Sequence, residues 1–289
     1  MNYIVHILVM ITLYSILGMS LNIVVGYAGM LGLCQGAFYG IGAYTCTVLM
    51  MHSGAEFLPA VLGAIAMTGL ISIIVALVTM RFRDDFFMLG TLAFQMIVSS
   101  VLYNWVDLTR GPYGIAGIPK PVILNISIST LPAFLVISTA CASIVGFIHW
   151  QISRSPYGRT LQGVRDDELA ARALGKNPIY YRITAFAASG CLAAIAGSLY
   201  ASYASYIDPT SFGLDEAVLV LMVVIIGGTG STYGPFLGAV FVVLLPELLR
   251  ICNVPSTLAP NLRQVVFGLC LVLVMRFRPQ GIAGRYSFD

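Results

Sequence analysis

The chain has 289 residues, 58% hydrophobic and only 9% charged, with a mean hydropathy of +0.91. A water-soluble domain carries about a quarter charged residues and could not hide this much apolar surface. The net charge of +3 gives no reason to expect a nucleic-acid partner, because eleven of the fifteen Lys/Arg fall in three patches, Arg81 with Arg83, six between Arg154 and Arg182, and Arg276 with Arg278 and Arg285, which read as membrane-topology signals.

The composition predicts an all-α polytopic membrane protein forming one transmembrane domain over 1–289. A lipid-exposed backbone must satisfy its own hydrogen bonds, and the apolar runs are longer than the alternating segments of about ten residues in a β-barrel. About twenty residues cross a hydrocarbon core of about 30 Å. On that criterion eight to nine segments are expected, near 2–24, 36–51, 57–80, 86–104, 131–151, 182–206, 217–229, 236–251 and 261–275. The first lacks a basic n-region and a small-residue cleavage site and reads as a retained helix. The short segments 36–51 and 217–229 adjoin glycine clusters and suggest half-helices.

Those clusters are Gly26-Tyr-Ala-Gly-Met-Leu-Gly-Leu-Cys-Gln-Gly-Ala-Phe-Tyr-Gly-Ile-Gly-Ala43 and Gly227-Gly-Thr-Gly-Ser-Thr-Tyr-Gly-Pro-Phe-Leu-Gly-Ala239. Each opens Gly-x-x-Gly at the end of an apolar run. Two readings stand for the pair: corresponding breaks of an internal repeat beside a substrate path, and small residues for close helix packing. Neither is a phosphate loop, since no Gly-Lys-Ser/Thr follows.

The positive-inside rule puts 81–85, 153–182 and 276–289 in the cytoplasm and the loops 52–56, 105–130 and 207–216 outside, with a cytoplasmic C-terminus. The side of the N-terminus depends on whether the break at Gly26–Gly36 is a turn or a re-entrant bend, which the residues leave open. The Gly- and Pro-rich outer loop 105–130 predicts turns rather than helix, and is longer than a simple connection requires.

No catalytic or metal constellation stands out. His6, His52 and His149 are far apart, and the six cysteines lack Cys-x-x-Cys spacing, as expected of free thiols acting as small hydrophobes. The predicted spans are nearly free of charge. The main exception is Glu247, which the spacing pairs with Arg250. Ion-coupled carriers place ionisable groups inside their spans, so the energy source is expected in another subunit. The uncharged polar residues Asn22, Gln35, Tyr39 and Gln95 are candidates for a translocation path; the same amides can instead bond neighbouring helices for about 1 kcal/mol.

The one long polar stretch, 153–181, presents two signals. Pro156-Tyr-Gly158 predicts a turn. After it, Asp166 or Asp167 caps a short helix, Glu168-Leu-Ala-Ala-Arg-Ala-Leu, which Gly175 and Pro178 stop. Small residues on one face invite a close-fitting partner, and Arg165, Arg172 and Lys176 offer charge to acidic groups. The other reading is a basic amphipathic helix lying on the lipid surface.

Glu168-x-Ala-Ala-x-x-x-Gly175 resembles the EAA loop of bacterial ABC importer permeases. The longer run 155–175 is similar to the LivM-like branched-chain amino-acid permeases. Leu21–Gly29 with Gly36–Tyr44, Thr109–Pro119, and Ile226–Ala239 running on to Pro246–Arg250 match that family in the same order. The resemblance implies an inner-membrane subunit paired with a homologous permease, two cytoplasmic ABC ATPases and an external solute-binding protein. It also implies that Arg165, Asp167, Glu168, Ala170, Ala171 and Gly175 belong to the helix seated on the ATPase. ATP would then be bound by the partners, with no cofactor in this chain. The family's usual His has no counterpart at Cys34-Gln35. Its solutes include urea and short-chain amides as well as branched-chain amino acids, and a stand-alone secondary carrier is the competing class.

Overall fold

A computed structural model describes residues 2–80, 84–123, 126–128, 130–251, 259–277 and 281–284. Its helices are α1 (Asn2–Asn22), α2 (Gln35–His52), α3 (Phe57–Thr79), α4 (Asp84–Asn104), α5 (Val106–Thr109), α6 (Leu131–Arg154), α7 (Pro156–Asp166), α8 (Glu168–Ala173), α9 (Pro178–Ala204), α10 (Leu214–Gly227), α11 (Gly234–Ile251) and α12 (Ala259–Phe277). The nine long ones correspond one for one to the predicted spans. Among the described residues six stretches are long and apolar enough to cross a membrane on their own, one of them Pro209–Gly227, where a 3-10 turn at Pro209–Phe212 lengthens α10. The segment expected near 217–229 is therefore longer than its sequence pattern indicated. Arg81, Arg83, Cys252, Arg278 and Arg285 lie outside the described residues.

The helices are packed inside out. On α3, Leu62 is 61% exposed, and on α6 Phe147 is equally so, as suits side chains that meet lipid. The buried centre is formed by α1, α2 and α9, where small residues bring backbones together. A side chain at Gly42 of α2 would come within 2.5 Å of the Ala194 backbone of α9, and one at Gly190 of α9 within 2.8 Å of Ser72 on α3. In lipid such close van der Waals packing replaces the hydrophobic drive that water supplies. A smaller core of Met222, Val223, Ile226, Ala239, Val242, Leu245 and Phe267 joins α10, α11 and α12. Of the described cysteines, Cys34 and Cys46 are buried free thiols, and Cys141, Cys191 and Cys270 are half-buried and free.

The course of the chain shows the form of the first break. His6 Nδ1 lies 2.6 Å from the Tyr203 hydroxyl near the far end of α9, so α1 starts opposite the arginine-bearing end. It runs to that end, where Ile23–Tyr27 form a π-helical turn. The chain then turns and re-enters in extended form. The Leu33 N–H donates to Thr91 Oγ1 of α4 at 3.1 Å, and α2 starts within the bundle, its Ala37 N–H bonded to Gln95 near the middle of α4. The break is both a turn and a re-entrant limb. Irregular backbone is tolerated at this depth because protein buries it.

At the opposite end, the loop 105–130 holds more regular structure than its glycines suggested. It contains α5, a 3-10 turn at Gly111–Tyr113, and strands β1 (Ile115–Ala116), β2 (Val122–Ile123) and β3 (Ile126–Ser127). β1 pairs antiparallel with β4 (Tyr206–Ile207), aligning Ile115 with Ile207, and β2 pairs with β3. Thr109 Oγ1 bonds the carbonyls of Leu102 and Trp105, each at 2.7 Å, fastening the loop to the end of α4. Glu247 accepts from the Tyr3 hydroxyl, whereas the side chain of Arg250, its expected partner, lies outside the described residues.

The helix contacts generate a paired test. Gly42→Val drives a side chain into the α9 backbone and should cost about 1–3 kcal/mol, read as a lower thermal midpoint of the purified protein. Gly163 in α7 faces open space, and Gly163→Ala should gain about 0.5–1 kcal/mol from helix propensity alone.

Candidate functional site

The arginine-bearing end of the bundle gathers both glycine breaks, the end of α6 and the α7–α8 segment around two side chains. The first is Asn22, fully buried in the last turn of α1. Its Oδ1 accepts from the Gly230 N–H at 3.0 Å, and its Nδ2 donates to the Ser231 carbonyl at 2.9 Å and to His149 Nε2 of α6 at 3.1 Å. These partners fix the amide orientation, and because Nδ2 is a donor, His149 Nε2 must accept and the ring proton sits on Nδ1. Gly26 lies against Gly230 so closely that a Cβ there would overlap its backbone. The two glycine clusters therefore touch each other, a contact that neither sequence reading stated.

The second is Arg165, at the end of α7. Its Nη1 donates to the Gly26 carbonyl at 2.6 Å and its Nε pairs with Asp166 at 2.9 Å. Gly29, at φ +70°, leaves room for the arginine stem, which a Cβ would strike. Sequence reasoning placed Arg165 among residues facing a partner, but the structure turns it inward onto the π-helical turn, with 11% of its side chain exposed.

Local chemistry explains why the 153–181 segment holds its shape. Pro156 starts α7 rather than a turn, because proline suits the first helical position and Ser155 caps the helix by accepting from the Gly158 N–H at 3.1 Å. Leu161 and Val164 are fully buried against the bundle, so α7 spends its apolar face on its own protein. Tyr157 fastens α7 to α9, its hydroxyl 2.7 Å from Thr184 and 3.2 Å from the Tyr181 carbonyl; burial pushes its phenol up from the usual range.

Asp167 caps α8 as expected, accepting from the N–H groups of Leu169 and Ala170 at 2.9 Å. Gly175, at φ +74°, ends it. Glu168 holds Arg172 at 2.5 Å and Arg182 at 3.1 Å, so Arg172 is paired within the chain. Ala171 is buried and Ala170 exposed. The largest apolar groups at the tip are Leu169 and Leu174, 76% and 80% exposed. Sequence reasoning passed over both because leucine in an apolar chain carries no signal of its own.

The other path candidates lie deeper. Gln35 Nε2 donates to Ser20 of α1 at 2.5 Å, and its Oε1 accepts from Ser189 of α9 at 3.3 Å. Gln95 Nε2 donates to the Phe212 carbonyl at 2.8 Å and its Oε1 accepts from the Ala37 N–H at 2.6 Å. This ties the start of α2 to the turn before α10. Tyr39 packs on Tyr200 and Phe212, ring centroids 5.6 and 5.0 Å apart. The structure thus brings Gln95 and Tyr39 together around Phe212, and sets Gln35 and Asn22 apart as separate ties. Half-buried Glu216, in the first turn of α10, is an electrostatic neighbour of Tyr39 and was assigned from sequence to an outer loop.

Asn22→Ala removes the amide and leaves the Gly230 N–H and the Ser231 carbonyl without that partner, at about 1–3 kcal/mol for each orphaned group. The expected outcome is a lower melting temperature and faster protease cleavage within 228–233. Unchanged cleavage would mean the second break is held without Asn22.

The chain is similar to known transport proteins. The family model described as branched-chain amino acid transport system / permease component matches residues 3–275. The chain is 34% identical to the high-affinity branched-chain amino acid transport system permease protein LivM of Salmonella typhimurium, over 96% of this chain and 69% of that one. It is 24% identical to the probable branched-chain amino acid transport permease protein LivM of Methanocaldococcus jannaschii, over 93% and 90%. It is also 28% identical to the autoinducer 2 import system permease protein LsrC of Shigella flexneri, over 65% and 53%. No solved structure matches. The chain belongs to the branched-chain amino acid transport system permease family.

Proposed function

We propose that this chain is the transmembrane subunit of an ATP-driven importer of branched-chain amino acids, and that its power stroke enters through α7 and α8. In this reading a homologous permease completes the pathway, two cytoplasmic ATPases bind and hydrolyse ATP, and an external binding protein delivers solute to the end carrying the β1–β4 ribbon. The arginine-bearing end faces the cytoplasm of the inner membrane, in keeping with the positive-inside rule. The solute assignment follows the names of the LivM relatives.

The observation that carries the reading is the 2.6 Å hydrogen bond from Arg165 to the Gly26 carbonyl. A helix that merely lay on lipid would have no reason to send a guanidinium into a helix break. Leu169 of α8 and Leu174 just after it point outward, while α7 holds the first break through Arg165 and Asn22, at the end of α1 just before that break, holds the second. Movement imposed at the tip reaches both breaks through a short chain of bonded groups. A two-state element of this kind is what alternating access requires. In this reading the solute's path runs beside Tyr39 and Glu216, where α2 and α10 begin inside the bundle.

Two classes of variant separate docking from transmission. Leu169→Asp, Glu168→Lys and Gly175→Trp should abolish uptake and prevent the ATPase from co-purifying or being stimulated, with membrane insertion intact. Arg165→Ala should leave the ATPase bound but lower ATP-coupled uptake about 5–150-fold, the range typical of a lost coupling interaction. Normal leucine uptake in Arg165→Ala would overturn the transmission role. Uptake by this chain alone in liposomes, driven by an ion gradient, would overturn the importer reading.

A further inference from the structure

A cavity of about 330 Å³ opens at the arginine-bearing end, between the end of α6, α7 and the loop before α11. It is lined by Trp150, Arg154, Gln162, Arg165, Ser231 and Thr232, among others, and no carboxylate is in its wall among the described residues. Arg154 rests over the Trp150 ring at 4.9 Å from its centroid and pairs with no carboxylate among the described residues. Ser153 and Thr232, with hydroxyls 3.5 Å apart, add donors beside it. Arg165 is engaged by Asp166 and the Gly26 carbonyl, so the Arg154 guanidinium, the Gln162 amide and the hydroxyls are the donors that converge on the space, a set that suits an oxyanion.

The setting identifies the source of that oxyanion. α6 is a span, and Trp150 and Arg154 occupy its last turn and a half, the level at which an aromatic ring and a basic group mark the edge of a bilayer. Above the cavity the flanking side chains are apolar and exposed. Phe147, stacked on Trp150, is 61% exposed on α6, and Phe236, in the first turn of α11, is 47% exposed. A phosphodiester in the cavity would have its acyl chains along these groups. A free cytosolic anion would have no use for them.

We propose that this cavity binds the headgroup phosphate of an anionic phospholipid, with Arg154 and Gln162 as ligands and Trp150 at the boundary with the acyl chains. Basic pockets between helices at the membrane surface suit such headgroups. The bound lipid would touch Arg165 and the loop 230–233, the groups that join the two glycine breaks.

The chain has two tryptophans, Trp105 at the opposite end and Trp150 in the cavity wall, which supplies the test. In the full-length Trp105→Phe protein, phosphatidylglycerol with brominated acyl chains should quench the remaining fluorescence at a lower mole fraction than brominated phosphatidylcholine. Arg154→Gln should reduce that preference about fivefold, the effect of one basic group near an anionic surface. Gln162→Ala should reduce it in the same direction, and Arg172→Gln, at the far tip, should leave it unchanged. Equal quenching by the two lipids would overturn the proposal. So would abolition of the preference by millimolar inorganic phosphate, which would make a free anion the ligand, or by leucine, which would assign the cavity to the transported solute.

Discussion

Asn22 joins three parts of the chain, the end of α1, the second glycine break and α6, through a single side chain. At the end of a membrane helix the last carbonyls and the following loop have no intrahelical partners, and lipid supplies none. The amide resolves this for the second break: its oxygen takes the Gly230 N–H, while its nitrogen reaches the Ser231 carbonyl and His149 of α6. Arg165 completes the arrangement by donating to Gly26. Without these groups the π-helical turn and the 228–233 loop would each present unpaired backbone at a depth where water is scarce. The glycines are required for the same reason, since at Gly26 the neighbouring backbone leaves no room for a Cβ.

The same logic recurs deeper in the bundle. Gln95 satisfies the Ala37 N–H in the first turn of α2 and takes the Phe212 carbonyl before α10. A buried glutamine here replaces the water that would solvate a helix start in a soluble protein. Each bond adds only about 1 kcal/mol, yet leaving its backbone partner bare would cost more, so the polar residues of the spans act mainly by preventing that loss. The stability itself comes from close contact among small residues, as at Gly42 against Ala194 and Gly190 against Ser72.

Much of this was legible in the sequence. Apolar length located nine helices, Asp167 and Gly175 marked the limits of α8, and ordered motifs pointed to the family. What stayed hidden involved pairs of residues far apart in the chain. Nothing local to Asn22 indicates Gly230, 208 positions away, and nothing in Arg165 distinguishes an inward guanidinium from an outward one. Pro156 was read as a turn because a proline-glycine cluster suggests one, whereas proline serves equally as a helix start once Ser155 supplies the cap. The outer loop was read as turns because two-residue strands are too short to leave an alternating pattern. Asp215 and Glu216 fell inside the outer loop assigned to 207–216, although Gln95 draws the start of α10 into the bundle.

The position of Arg165 bears on how a short exposed helix could act on a membrane core. A rigid body transmits displacement only where its attachments are stiffer than its surroundings. α7 meets that condition on three sides: Ser155 joins it directly to α6, Tyr157 bonds α9, and Leu161 and Val164 are sealed in the core. α8 is attached more loosely, through its Asp167 cap and the exposed pairs of Glu168, which hold little energy in water. Force applied at Leu169 and Leu174 would therefore enter by the compliant helix and leave by the stiff one. It would arrive at Gly26 and Gly29, where missing side chains, and at Gly29 a positive φ, give the backbone alternatives that other residues lack. A hydrogen bond between an arginine and a carbonyl can be remade at a new position at little cost. This makes the end of a π-helical turn a better receiver of motion than the interior of α1, whose bonds are all committed.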